Sequence, residues 1–131
     1  MERTMDITFP GGKQVDALFR GFTIQTDQDR ESGGEASAPE PFDLFLASIG
    51  TCAGIYALNF CTERKIETDG LKLHLTIRRN EEQKRVDRIT IEIALPAEFP
   101  EKYKRAIVKA AGLCSVKKHM LNPPEFDIFT A

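Results

Sequence analysis

Cysteine is scarce in this 131-residue chain, with three in all, at positions 52, 61 and 114. An odd, low count argues against a secreted disulfide scaffold and makes a reducing, cytoplasmic setting the expectation. Charge of one sign is also lacking. Eighteen Lys and Arg against twenty Asp and Glu give a net charge of −2 and no electrostatic footprint for nucleic acid. The N-terminus, MERTMDITFPGGK, has no apolar run or cleavage pattern, so no secretion signal is expected. No internal repeat or low-complexity segment is visible. The cysteines and histidines show no CxxC-type spacing, so no metal site and no bound cofactor are expected. The remaining balance, 41% apolar and 29% charged, is that of one globular domain over residues 1–131.

What is present is concentrated in one stretch, Pro41 to Glu63 (PFDLFLASIGTCAGIYALNFCTE). Pro41 suits a first helical position, where its missing N–H would be unpaired in any case. Glu40 and Asp43 complement the positive end of the helix dipole. The run is long enough to cross a membrane, but Ser48, Gly50, Thr51, Gly54 and Asn59 interrupt it, so a helix buried in the core of a soluble fold is expected, with no membrane partner. Gly50 and Gly54 each cost about 1 kcal/mol relative to Ala in a helix, which points to something approaching that face closely.

Around this helix the patterns are those of strands. Residues 4–9, 14–20 and 22–26 read as a small meander, and 27–39 as a polar loop suited to a lid or dimer arm. Leu71–Arg78 and Val86–Leu95 alternate cleanly and predict a long antiparallel hairpin with one apolar face. Helices are expected over 100–112, closed by Gly112, and over 116–121, with a last strand at 126–129. Strands and helices segregate, so the class is α+β.

Core packing is the ordinary fate of a free cysteine, and Cys61 fits it. Cys52 and Cys61 lie on opposite helical faces and roughly 13 Å apart along the axis. A disulfide needs Cα atoms within about 7 Å, so these two cannot pair in an intact helix. Cys114 precedes a short helix, where unpaired N–H groups favour a thiolate and a lowered pKa. Phe42, Phe45, Ile49 and Tyr56 are the apolar neighbours in sequence that would line a pocket beside Cys52, unless they are simply core.

Two segments carry a family resemblance. Pro41, Asp43, Leu44, Ala47, Gly50 and Cys52 resemble the proline–acidic–apolar run that leads through A-x-x-G-x-C into the central helix of the OsmC/Ohr family, and Cys114–Met120 (CSVKKHM) resembles that family's second cysteine motif. Thr26-Asp27 and Gly33-Gly34 also match. The resemblance implies an OsmC-like fold, with antiparallel sheets wrapped around a long central helix in an intertwined homodimer. It implies reduction of a small apolar organic hydroperoxide. Cys52 would be oxidised to a sulfenic acid and resolved by Cys114 as a disulfide, which an external dithiol donor (in some members a lipoylated protein) reopens. It also implies a cation beside Cys52, for which Lys13 or Arg20 stands where the family has arginine. Asp43 lies one residue later than the family's glutamate, and Ser115 replaces its usual proline. Nine residues separate Asp43 from Cys52 on their helix, so Asp43 would serve Cys52 from the other subunit or else only complement its own helix terminus. The competing readings are an OsmC-like small-molecule or partner-binding protein and, with less in its favour, a hotdog-type thioesterase.

Overall fold

The computed structural model describes all 131 residues, Met1–Ala131. The element order is β1 (Asp6–Gly11), β2 (Gln14–Phe19), β3 (Phe22–Thr26), α1 (Pro41–Glu63), β4 (Lys72–Asn80), β5 (Arg85–Ala94), a 3-10 turn (Glu101–Tyr103), α2 (Lys104–Ala111) and α3 (Ser115–Leu121). Two antiparallel sheets, β1-β2-β3 and β4-β5, and one long helix make the α+β architecture expected from the sequence. Residues 126–129, expected as a strand, form none: Phe126, Ile128 and Phe129 are exposed and pair with no ladder. The chain divides into two compact units, Met1–Ala47 and Ser48–Ala131, with the division falling within α1.

In the first unit, β2 pairs with both neighbours, and Phe19 and Phe22 close a two-residue hairpin turn. That turn is Arg20-Gly21, both with positive φ (52° and 82°), the backbone of a tight primed turn. The polar loop that follows is tied at its neck by one buried carboxylate. Asp27 Oδ1 accepts from Gln28 N–H at 2.8 Å. Its Oδ2 accepts from Glu35 N–H (3.3 Å), Ser37 N–H (3.1 Å) and the Ser37 hydroxyl (2.6 Å). The Ser37 hydroxyl, then the Gln28 and Ser37 amides, hold the Asp27 carboxyl down at about 2 against its burial. Gly34 belongs to the same knot, since a Cβ there would collide with the Gln28 carbonyl and Asp27 Oδ1. The segment is a loop, as expected, and its neck is pinned.

In the second unit, the β4–β5 ladder pairs Leu73 with Ile93, Leu75 with Ile91 and Ile77 with Ile89, the one-sided apolar face that the alternation predicts. Ala57, Phe60 and Cys61 of α1 cluster with Phe99 and Ile107, and Leu71, Leu73, Leu95 and Tyr103 pack around them. Arg64 closes this core by laying its guanidinium 3.7 Å from the Phe60 ring centroid. Ile49, Ala53, Ala57, Phe60 and Cys61 are the buried residues of α1 and follow a helical stripe. Ile55 and Leu58 are exposed. The helix is thus buried on one face, not all round as its composition suggested. By length and composition alone it could cross a membrane, but the buried stripe marks it as a core helix. Close approach explains Gly50, whose added Cβ would sit 3.3 Å from the Leu75 side chain, but not Gly54, where nothing lies within 4 Å. Gly112 is the C-cap of α2, as expected, in right-handed geometry (φ −74°), with its N–H directed to the Val108 and Ala110 carbonyls.

A two-cysteine candidate site

Cys114 is the N-cap of α3, and its sulfur accepts the Lys117 N–H at 3.4 Å. The cap position is fixed by the short link from α2, which ends at Ala111. Cys114 is buried, while Cys52 on α1 is partly exposed, and both are free thiols. The fold brings them together. The two thiols influence each other electrostatically, and the Cys52 sulfur lies 3.7 Å from the Ser115 hydroxyl oxygen.

The electrostatics differ between the two sulfurs. Burial pushes the Cys52 thiol up, but the Val116 amide, the Cys114 thiol and the Ser115 hydroxyl and amide outweigh it and bring it down to about 7. For Cys114, burial comes first and the bond to Cys52 second; both push up and prevail over the Lys117 amide. The expectation of a lowered Cys114 is therefore reversed. The Ser115 hydroxyl and amide act on Cys52, whereas the Lys117 amide goes to Cys114, and Cys52 is the more acidic of the two thiols. Within this unit the groups acting on it are neutral dipoles. Cys61, fully buried in the core cluster, is pushed up by burial despite the nearby Arg64.

An apolar cavity of about 340 Å³ opens against Cys114. Its walls are Ile49 and Ala53 of α1, Ile89, Ile91 and Ile93 of β5, and Val108 and Ala111 of α2, with Lys117 and Met120 of α3 beside them. Of the four pocket residues expected from sequence, Ile49 lines this cavity and Tyr56 does not. Phe42 and Phe45 belong to the first unit, where their rings pack at 5.4 Å between centroids and both remain exposed. In this cavity β5 contributes more wall than α1. The alternation at 89, 91 and 93 was the available signal.

The other expected site residues also lie in the first unit. Lys13 borders a polar cavity of about 200 Å³ with Gly12, Asp27, Gly33 and Glu35. Arg20 occupies the exposed hairpin turn. Asp43, the third residue of α1, accepts the Glu40 N–H through Oδ2 at 3.0 Å, while the Asp43 N–H returns to the Glu40 carbonyl. That is the reciprocal half of a capping box, a structural task that accounts for an acidic residue at this position. Sequence reading noted Ser115 only as a departure from a motif and missed it as a contact of Cys52.

A sequence-family model for "OsmC-like protein" matches residues 33–129. Comparison with curated proteins found no match. Among solved structures, the fold is similar to a protein from Psychrobacter arcticus 273-4 described in terms of osmotic stress induction and detoxification response. The TM-score is 0.76 at 22% identity, covering 90% of this chain and 88% of that one. It is also similar to an OsmC-like protein from Mycoplasma pneumoniae (TM-score 0.69, 17% identity, 94% and 91% coverage). A third is an organic hydroperoxide resistance protein OsmC from Legionella pneumophila (TM-score 0.56, 18% identity, 89% and 88% coverage). At these identities the likeness carries the fold.

Proposed function

The chain belongs to the OsmC-like protein family, and from that premise we propose that it is a dithiol peroxidase that reduces organic hydroperoxides at Cys52. The observation that carries the reading is the placement of the Cys52 sulfur at the start of α3, 3.7 Å from the Ser115 hydroxyl, where Cys114 caps the helix; in this setting Cys52 is drawn down to about 7 and Cys114 is pushed up.

The Cys52 thiolate attacks the terminal oxygen of the hydroperoxide. The S–O bond forms with two electrons from sulfur, the O–O bond breaks, and the alkoxide leaves and takes a proton to become the alcohol. Cys52 is then a sulfenic acid. Cys114 attacks its sulfur, the S–S bond forms, and the departing hydroxide takes the Cys114 proton and leaves as water. An external dithiol donor, of which a lipoylated protein is one kind, reduces the disulfide and is itself oxidised to a disulfide. The apolar cavity against Cys114 suits the alkyl part of such a substrate. A homodimer belongs to this reading, because Ile55 and Leu58 leave an apolar face of α1 uncovered.

The test is a thiol count before and after one equivalent of cumene hydroperoxide in wild type, Cys52→Ser and Cys114→Ser. Wild type should lose two thiols and form cumyl alcohol. Cys52→Ser should lose none, and Cys114→Ser should lose one. Three intact thiols and unconsumed peroxide in wild type would refute the reading and leave the cavity to a ligand-binding role.

A further inference from the structure

Ser115 is the first residue of α3, a position where a serine hydroxyl is not needed for capping because the Cys114 sulfur already accepts the Lys117 N–H. Its side chain is exposed and carries no part of the core. The backbone carbonyl is occupied separately, by His119 Nδ1 at 2.7 Å. The hydroxyl oxygen lies instead 3.7 Å from the Cys52 sulfur, across 63 residues of sequence. Once Cys52 has lost its proton, the sulfur can only accept, so the hydroxyl must donate.

We propose that Ser115 is a catalytic residue of this site, its hydroxyl donating to the Cys52 sulfur and holding it as the attacking thiolate. A hydrogen bond to an ionised partner is worth more than one between neutral groups. Ser115 is not consumed: it gives no proton away, and the alkoxide takes its proton from water. The sulfur contact stands on the geometry alone, whereas its value in turnover rests on the peroxidase reading above.

Ser115→Ala removes the donor and Ser115→Thr restores it, both at an exposed helix start that tolerates either. The pH midpoint for iodoacetamide alkylation of Cys52, followed by peptide mass spectrometry without any peroxide, should rise by about one unit in Ser115→Ala, a roughly tenfold loss of thiolate below both midpoints. Ser115→Thr should return it to the wild-type value. Under the peroxidase reading, the rate of cumene hydroperoxide consumption at pH 6 should fall in step with the thiolate fraction. An unchanged midpoint in a folded Ser115→Ala protein, checked by circular dichroism, would overturn the proposal. So would a rise that Ser115→Thr fails to reverse. A midpoint that shifts as expected in a protein that consumes no peroxide would leave Ser115's role at the sulfur standing and sink the peroxidase reading instead.

Discussion

At pH 7 a thiol titrating near 7 is about half thiolate, whereas an ordinary cysteine near 8.5 is about 3% ionised, roughly a 16-fold difference. Thiolates of lower pKa are weaker nucleophiles. With a Brønsted slope of about 0.45, a drop of about 1.5 units costs roughly fivefold. The net advantage of Cys52 over an unperturbed thiol is then only about threefold at pH 7 and about sixfold at pH 6. The absolute rate is therefore a poor diagnostic, and the shape of the profile decides. Alkylation of Cys52 against pH should rise through a midpoint near 7 and level off by about pH 8, while Cys61 and Cys114, raised by burial, stay slow across that range. Site-resolved mass spectrometry with limiting iodoacetamide separates the three. A Cys52 midpoint at 8.5 or above would refute the claim that the donors at the start of α3 outweigh burial.

The same shifts bear on stability. A depressed Cys52 favours the folded state as pH rises from about 7 to about 9, while the raised Cys114 withdraws stability as pH climbs past its ordinary range. Urea midpoints should therefore increase between pH 7 and 8.5 and lose that increase in Cys52→Ser. Ile107 is fully buried in the core cluster, so Ile107→Ala should cost about 2–5 kcal/mol in chemical denaturation; a cost below about 1 would mean the α1–α2 packing is misassigned. Gly34→Ala should lower the melting temperature and loosen the 28–37 loop to proteolysis, because the Cβ has no room beside the Gln28 carbonyl. A thermally unchanged variant would contradict the pinned-loop description.

The strongly periodic parts of the fold were readable from the residues. The hairpin alternation at 71–78 and 86–95 and the apolar run at 41–63 place β4, β5 and α1 to within a residue or two. Local composition gave the loop at 27–39 but not its rigidity, which comes from Asp27 gathering four donors from residues up to ten positions away. The apparent strand at 126–129 failed because alternation without a pairing partner makes no ladder. At the site, helical geometry removed Cys61 as a partner of Cys52, whereas the approach of Cys114 depends on how α3 returns to α1. The reversal of the two thiols was not legible either. It is set by which sulfur the Ser115 hydroxyl and amide reach and by how deeply each sulfur is buried, and sequence carries neither.

The central claim is that Cys52 and Cys114 form one redox pair. The most direct measurement is non-reducing digestion and mass spectrometry of the protein after one equivalent of organic hydroperoxide. We predict a peptide joining residues 52 and 114 in near-stoichiometric yield, reversible by a dithiol, with Cys61 still free. Cys52 and Cys114 recovered as free thiols, or Cys52 oxidised to sulfinic acid with Cys114 unlinked, would contradict it.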